Sequence, residues 1–367
     1  MTRNTISVNT TPPSVPAAAS SPSVRRRRRW GFLVTGLALI LGVLAAGLVP
    51  APYYAVAPGT AVDVGGLVSV SGAPSFPAEG RVYLTTVSLR RVTLVAALRG
   101  WLDPSVDVVP QDAILPPRSS PEDLRSFNLE LMDDSKQAAL GVAFEELGYD
   151  AIRGGGAEIV QVERGSPAAG VLEVGDVIVG VGGAPVAEHY EAVRALGRRL
   201  PGDAVELSLR SAGGAARTAV VVLGESPDRP GRPLLGVTLQ TRDLSFELPF
   251  GVDIASERIG GSSAGLAFAL EVLDMLTEGE LTGGERVAAT GTIELDGAVD
   301  DVGGVAQKTV AVRDAGIGLF LVPRRELEEA RRFAGDSLRV EPVDTLADAL
   351  DVLADAGGEG LAPGPLR

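Results

Sequence analysis

One lysine and a pair of serines are the residues of this chain whose types and spacing could do chemistry. Arginine supplies all but two of the 33 basic residues, and the two lysines are Lys136 and Lys308. A buried lysine can lose its proton and act as a base, whereas arginine stays protonated in proteins. Ser262 and Ser263 follow two glycines and open an apolar helical stretch, and Ser263 precedes Lys308 by 45 residues. A serine beside a neutral lysine is a nucleophile with its general base, so this pairing predicts acyl-transfer chemistry.

The composition excludes several other kinds of site. The sequence has no cysteine and one histidine, His189, so disulfides, a cysteine nucleophile and a zinc site built on several imidazoles are excluded. We therefore expect no metal and no cofactor. Residues 1–50 carry six arginines and no acid, which leaves 27 basic against 47 acidic residues, a net charge of −20, for the rest. A body this acidic is a poor candidate for binding nucleic acid or an anionic lipid surface.

The first fifty residues predict a membrane anchor. Residues 1–29 are rich in Ser, Thr and Pro and end in five arginines, which predicts a disordered, basic, cytoplasmic tail. Residues 30–49 carry no charge, and twenty residues of helix span about 30 Å, the thickness of a bilayer's hydrocarbon core. We therefore expect a single-pass protein of the cell membrane whose chain is extracytoplasmic after Pro50. A cleaved signal peptide is the alternative, but its apolar run would usually be about 7–15 residues.

The middle of the chain changes character twice. Residues 50–147 are predicted to form an extracytoplasmic α+β region without a recognisable catalytic motif. From 148 to 224 the pattern becomes short strands and glycine turns, with GSPAA at 165–169 and VGDVI at 174–178 ahead of a helix. This order resembles a bacterial-type PDZ domain. The alternative is a degenerate module that only packs against its neighbours.

The PDZ resemblance implies a peptide-binding site. In that family a bound peptide adds as a strand beside a short glycine-containing loop. We place this loop at Leu147, Gly148 and Tyr149.

The C-terminal third is predicted to be a separate α+β domain. Residues 225–234 have the composition of a linker, residues 235–357 mix strands and helices, and residues 358–367 are predicted to be a disordered tail. The fold class expected for the chain is therefore α+β, with an N-terminal transmembrane helix, a β-rich module and a C-terminal domain that carries the serine and the lysine.

Three stretches of the last domain carry a second resemblance: GGSSAGLAFALEVLD at 260–274, TGTIELDG at 290–297 and VGGVAQK at 302–308. In this order they resemble the peptidase domain of Lon, in its membrane-anchored form with a PDZ domain. The resemblance implies that Ser263 is the nucleophile, Lys308 the general base and Thr290 the residue that orients the lysine amine. Gly261 and Ser262 lie in the turn, where N–H groups at the start of the following helix would stabilise an oxyanion.

The family resemblance extends to substrates and assembly. It implies polypeptide substrates and a homo-oligomer, since Lon-type domains commonly form hexameric rings. The chain contains no GxxxxGK[ST] phosphate loop, so we expect ATP-independent cleavage of flexible or unfolded chains that the PDZ domain recruits. Ser262 stands where the family usually has proline, and Gly260 where many members have an acid. Oxyanion geometry and substrate preference can therefore differ from those of the family.

Two other functions remain open. A membrane-anchored scaffold would bind exposed C-termini through its PDZ domain and keep the last domain catalytically silent. A signal-peptidase-like enzyme also pairs serine with lysine outside a membrane, but it would need an apolar membrane-docking face beside the serine.

Overall fold

A computed structural model of the chain describes residues 35–37, 41–42, 47–115, 119–256 and 259–361. The predicted tail at 1–29 and most of the predicted anchor at 30–49 lie outside these residues. Within the described ranges, no helix is both long enough and apolar enough to span a bilayer.

Strands from both ends of the described chain form one mixed six-stranded sheet. Its strands are β1 (Pro50–Asp63), β3 (Arg81–Thr93), β4 (Asp107–Pro110), β16 (Arg286–Ala289), β19 (Leu319–Pro323) and β20 (Arg339–Val343). The order across the sheet is β20-β19-β16-β3-β1-β4. β16 pairs in parallel with both β3 and β19, and β1 is antiparallel to β3 and β4. The region 50–147 therefore does not stand apart, because it completes the sheet of the C-terminal domain.

Helices and short strands surround this sheet. From the first part of the chain come β2 (Val68–Ser71), α1 (Leu94–Gly100), α2 (Gln111–Ile114) and α3 (Pro121–Glu146). From the last part come β15 (Gly251–Ile254), α5 (Gly265–Leu276), β17 (Thr292–Ile293), β18 (Val299–Asp300), α6 (Val305–Asp314), a 3₁₀ turn (Arg324–Glu326), α7 (Leu327–Ala334) and α8 (Leu346–Asp355). Leu266, Phe268 and Leu270 of α5 and Phe144 of α3 lie in one core with strands β3 and β16.

Helices α3 and α5 lie side by side, and each begins for a definite reason. Ser120 caps α3, because its hydroxyl accepts the Asp123 N–H at 3.1 Å while the Asp123 carboxylate accepts the Ser120 N–H at 2.7 Å. Helix α5 is apolar on nearly all sides and is buried accordingly. A Cβ on Gly265 would lie 2.9 Å from Ser135 Oγ of α3, so a glycine at the start of α5 permits this close contact.

The β-rich module is inserted between α3 and β15. Its elements are β5 (Ile152–Arg153), β6 (Ala157–Val162), β7 (Val177–Val181), β8 (Ala184–Pro185), α4 (His189–Gly197), β9 (Ala204–Arg210), β10 (Ala216–Val222), β11 (Gly224–Glu225), β12 (Pro233–Leu234), β13 (Val237–Thr241) and β14 (Ser245–Phe246). Its sheet has the order β10-β9-β7-β6-β13, and Ile159, Ile178 and Leu207 lie in its own core. β5 and β14 pair where the chain enters and leaves the module.

Three predicted boundaries differ from the structure. Residues 225–234 are not an open linker, since β11 and β12 pair as a hairpin across them. The following strand β13 pairs with β6 and β14 pairs with β5, so the module extends to Phe246 rather than ending at 224. At the C-terminus, the Glu359 N–H donates to Glu280 O at 2.9 Å and Leu361 packs against the core, so residues 358–361 of the predicted disordered tail are ordered.

Candidate active site

Ser263 and Lys308 line the same cavity, which has a volume of about 570 Å³. The lining residues are, in chain order, Thr60, Val62, Thr85, Thr86, Val87, Asn128, Leu131, Met132, Ile259, Gly260, Gly261, Ser262, Ser263, Ala264, Thr292, Asp301, Val302, Gly303 and Lys308. Strands β1 and β3 and helix α3 supply the wall that faces the serine turn. This wall comes from the region 50–147, in which no catalytic motif is recognisable.

The serine turn is held by helix α3. Gly261 has φ of +98°, a conformation that L side chains rarely adopt, and its N–H donates to Asn128 O at 2.7 Å. The carbonyl of Ser262 accepts the Ser135 hydroxyl at 2.8 Å. Both contacts reach α3 from the same turn, so the backbone around Ser263 is fixed before substrate arrives.

The N–H groups available to an oxyanion differ from those expected. Helix α5 begins at Gly265, and its first N–H groups are already used. Gly265 N–H donates to Ser262 O at 3.3 Å and Leu266 N–H donates to Gly291 O at 3.2 Å. In the described part of the chain, the N–H groups of residues 262, 263 and 264 have no hydrogen-bond partner. These three free donors lie in the serine turn at the cavity.

Thr290 connects the lysine to the serine backbone. Lys308 Nζ donates to Thr290 Oγ1 at 3.1 Å, and the Thr290 hydroxyl donates to Ser263 O at 3.2 Å. The Gly291 N–H donates to the same carbonyl at 3.0 Å. Among the described residues, no direct hydrogen bond joins Ser263 Oγ to Lys308 Nζ. The amine and the hydroxyl thus share the cavity, and Thr290 connects the amine to the serine main chain.

The two serines have different surroundings. Ser262 Oγ lies 2.9 Å from Thr292 Oγ1, within hydrogen-bond distance. Within the described ranges, Ser263 Oγ has no hydrogen-bond partner, so its hydroxyl is free to turn into the cavity. This difference favours Ser263 over Ser262 as the nucleophile.

Burial makes Lys308 a weaker base than an ordinary lysine. Its side chain is 2% exposed, and desolvation lowers the pKa of the amine to about 8, against an opposing effect of the Glu326 charge. Lys136 differs, because it forms an ion pair with Asp133 at 2.6 Å. Within the described ranges, Lys308 has no carboxylate within ion-pair distance. At pH 7 about a tenth of the Lys308 side chains is therefore neutral, against fewer than about one in a thousand for an ordinary lysine.

Glu326 is a residue of this site that sequence reasoning missed. Its Oε1 accepts the Val302 N–H at 2.8 Å, in the turn that leads into α6 and Lys308. Its Oε2 is buried without a hydrogen-bond partner in the described residues. Burial raises the pKa of this carboxyl to about 6, while the Val302 N–H and the Lys308 charge act in the opposite direction. No motif marks Glu326, since an acid before a helix is an ordinary first-turn residue.

The described residues contain no group of three or more His, Cys, Asp or Glu side chains that could hold a metal ion. The single histidine lies in the β-rich module, where His189 Nδ1 is 2.8 Å from Thr241 Oγ1. It therefore belongs to the contact between α4 and β13 and takes no part in the Ser263 cavity.

A second cavity, of about 540 Å³, lies in the β-rich module. It is a groove between helix α4 and the edge strand β13, with Val193 and Leu196 on one side and Leu235, Val237 and Leu239 on the other. Leu147, Gly148 and Tyr149 do not line it. They follow α3 instead, where the Tyr149 ring packs on Phe144 and Phe250 at centroid distances of 5.7 and 6.2 Å. The structure therefore places the three predicted loop residues outside this groove.

The loop that does enter β13 runs through Gly236. It has φ of +78°, and a Cβ there would lie 2.1 Å from the side chain of Ser166. This is a glycine among apolar residues directly before an edge strand, as the PDZ resemblance requires. In the sequence this glycine lies just beyond the predicted linker 225–234.

Comparison with protein families gives two matches. Residues 250–355 match the Lon protease (S16) C-terminal proteolytic domain, and residues 138–221 match the PDZ domain. Among solved structures, the PDZ domain of the SdrC-like protein from Listeria innocua is 25% identical and covers 23% of this chain and 92% of that one, with a TM-score of 0.21.

Curated relatives are Lon proteases. That of Frankia alni is 26% identical over 319 residues, which cover 75% of this chain and 35% of that protein. Lon protease 1 of Herpetosiphon aurantiacus is 35% identical over 99 residues, which cover 27% of this chain and 11% of that protein. The chain thus spans about a third or less of the length of these relatives. It carries a Lon-protease-like proteolytic domain together with a PDZ domain, which indicates a serine peptidase.

Proposed function

We propose that this chain is a serine endopeptidase in which Ser263 is the nucleophile, Lys308 the general base and Thr290 the residue that orients the lysine amine. The observation that carries the proposal is the shared cavity, in which a buried amine is hydrogen-bonded through Thr290 to the main chain of a serine with an unengaged hydroxyl. A nucleophile, a base and a third group that orients the base are the parts that such catalysis requires.

The proposed reaction proceeds through an acyl-enzyme. Neutral Lys308 Nζ accepts the Ser263 hydroxyl proton as Oγ bonds to the substrate carbonyl carbon. The oxyanion that forms accepts hydrogen bonds from the free N–H groups of residues 262–264. Lys308 then gives its proton to the leaving nitrogen, and the C–N bond breaks. A water molecule, deprotonated by Lys308, hydrolyses the ester and restores Ser263. In enzymes without bound substrate, catalytic hydrogen bonds are often long or poorly aligned. The lack of a direct hydrogen bond between Ser263 Oγ and Lys308 Nζ is therefore compatible with this mechanism.

We propose that the substrates are unfolded or flexible polypeptides and that cleavage needs no ATP. The sequence holds no phosphate loop that could drive unfolding. The groove between α4 and β13 has the features expected of a PDZ peptide site: an open edge strand, apolar walls and a glycine loop at its entrance. We therefore assign substrate recruitment to this groove instead of to Leu147–Tyr149.

Location and assembly are also part of the proposal. Membrane attachment through residues 30–49, with a cytoplasmic N-terminus and an extracytoplasmic catalytic domain, rests on the apolar run and the arginines before it. A hexameric ring rests on the resemblance to Lon. Polypeptides are the only other partners we propose, and nucleic acid is not among them.

Casein cleavage by the detergent-solubilised full chain tests the proposal. We expect cleavage with and without ATP, its loss in Ser263→Ala, and its retention in the matched variant Ser262→Ala. Equal cleavage by wild type and Ser263→Ala would reject the proposed nucleophile. If wild type cleaves no unfolded chain but still binds peptides through the groove, the scaffold alternative is correct.

A further inference from the structure

Helix α1 presents an apolar face to solvent. Leu94, Leu98, Trp101 and Leu102 are 53, 57, 58 and 79% exposed, and their spacing of four, three and one residues places them on one side of the helix and its C-terminal turn. We call these four residues the α1 face. Clustered exposed apolar groups, especially where polar residues surround them, are typical of interaction sites.

The surroundings of the α1 face are basic, although the body of the protein is acidic. Residues 81–102 include four arginines and no acid. Arg90, Arg91 and Arg99 are exposed, and Arg90 and Arg99 line a groove of about 290 Å³ beside α1, which Asp103 also reaches. An apolar face flanked by arginines is complementary to an anionic lipid surface, where phosphates lie next to acyl chains.

The α1 face lies at the end of the fold from which the N-terminal segment departs. Pro50, the first residue of β1, pairs with Thr93, which caps α1. The residues just before Pro50 belong to the uncharged run 30–49, and Leu48 and Val49 are exposed where they join the sheet. If this run enters a bilayer, α1 lies at the bilayer surface.

We propose that the α1 face docks on the surface of an anionic lipid bilayer, with Trp101 at the level of the headgroups and Arg90 and Arg99 against lipid phosphates. Trp and Arg suit this boundary because each combines an apolar body with a polar end. The proposal rests on the membrane attachment proposed above and adds a second point of contact with the bilayer.

Docking of the α1 face would fix the distance between the active-site cavity and the lipid surface. Val87 lines the cavity and lies six residues along β3 from Thr93, which corresponds to about 20 Å of extended chain. Along β3 the catalytic centre would therefore rise at most about 20 Å above the docked end of the strand, within reach of segments that emerge from the same membrane.

Fluorescence of Trp101 tests the docking directly. The chain has two tryptophans, so the full-length variant Trp30→Phe, in vesicles of phosphatidylcholine and brominated phosphatidylglycerol, reports on Trp101 alone. We expect about twofold quenching or more. Leu98→Glu and the double variant Arg90→Glu, Arg99→Glu should relieve it. Val222→Glu changes an equally exposed valine on β10 and should not.

Three results would overturn the docking. The first is the absence of Trp101 quenching, and the second is an equal effect of Leu98→Glu and Val222→Glu on the quenching. The third is the formation of disulfide-linked pairs of chains in Leu98→Cys. Because the chain has no other cysteine, such pairs would show that α1 is a contact between two copies. Casein cleavage in the same vesicles separates the two proposals. Quenching of Trp101 without casein cleavage would support the docking and reject the peptidase. Casein cleavage without quenching would support the peptidase and reject the docking.

Discussion

The hydroxyl of Thr290 accepts a hydrogen bond from the Lys308 amine at 3.1 Å and lies between that amine and the main chain of Ser263. The same hydroxyl donates a hydrogen bond to Ser263 O at 3.2 Å. One side chain therefore fixes the direction of the proposed base and the position of the proposed nucleophile. This arrangement makes the account testable at several residues.

Thr290→Val removes both hydrogen bonds and keeps the shape of the side chain. We expect kcat to fall by about 10–100-fold, because the amine loses the group that orients it. Thr290→Ser should recover most of the activity. Thr309→Val is the matched control, since Thr309 is equally buried in α6 but bonds only to Val305 O. Unchanged activity in Thr290→Val would show that the threonine does not position the lysine.

The pH dependence of kcat/KM should report the Lys308 amine. With a pKa of about 8, the neutral amine is gained as the pH rises, so activity should increase with a midpoint near pH 8. The Glu326 charge favours the protonated amine. Glu326→Gln keeps an acceptor for the Val302 N–H and removes the charge, so the midpoint should move to lower pH by about half a unit to one unit.

Glu329→Gln is the control for this shift, because it removes an exposed charge on α7. A midpoint that stays in place in Glu326→Gln, or moves as far in Glu329→Gln, would contradict the proposed coupling.

Glu271 should make the folded protein less stable as the pH rises. Burial, with Asp274 and Asp63 nearby, raises its pKa from 4.5 to about 8. Because the folded-state pKa is the higher one, the stabilisation is complete below pH 4.5 and is lost progressively up to pH 8. Between pH 5 and 8, wild type should lose about 3–4 kcal/mol of unfolding free energy relative to Glu271→Gln.

Urea unfolding of the detergent-solubilised chain at the two pH values measures this difference. The exposed Glu278→Gln variant should behave as wild type does. Identical pH dependence in wild type and Glu271→Gln would show that the buried carboxyl has an ordinary pKa in the folded protein.

The groove of the PDZ domain should affect recruitment without affecting chemistry. Val193 is half-exposed on α4 and lines the groove, so Val193→Glu places a charge among apolar groups. We expect about tenfold slower cleavage of an unfolded protein with an apolar C-terminus and unchanged cleavage of a short peptide. Val222→Glu, outside the groove, should leave both rates unchanged. A parallel loss on both substrates would mean that the variant disturbs the fold.

The sequence was most informative where chemistry imposes both a residue type and an order. Ser263, Thr290 and Lys308 stand out because a scarce lysine follows glycine-flanked serines at a spacing that resembles a known domain. The structure brings Ser263 and Lys308 to one cavity, and Thr290 bonds to both. Glu326 could not be predicted, since its contact with the Val302 N–H depends on how two distant loops fold together.

Connections between distant segments were the main difficulty. Nothing local in β3 indicates that it pairs with β16, about two hundred residues later, because parallel pairing leaves no turn to recognise. The antiparallel pairing of β13 with β6 is equally hidden, because about seventy-five residues separate the two strands and no tight turn joins them. Residue 235 therefore resembles the start of the last domain, although β13 completes the sheet of the inserted module. The groove that we propose for peptides has Leu235 in its wall, whereas the sequence places the loop at Leu147, Gly148 and Tyr149, because β13 lies beyond the predicted end of the module at 224.

Active-site labelling tests the central claim most directly. The full chain would be treated with a fluorophosphonate probe, and the adduct would be mapped by mass spectrometry. We predict an adduct on Ser263 in wild type and in Ser262→Ala, none in Ser263→Ala, and strongly reduced labelling in Lys308→Arg, whose side chain cannot serve as a neutral base. An adduct on Ser262, or labelling that is undiminished in Lys308→Arg, would contradict a serine activated by a neutral lysine.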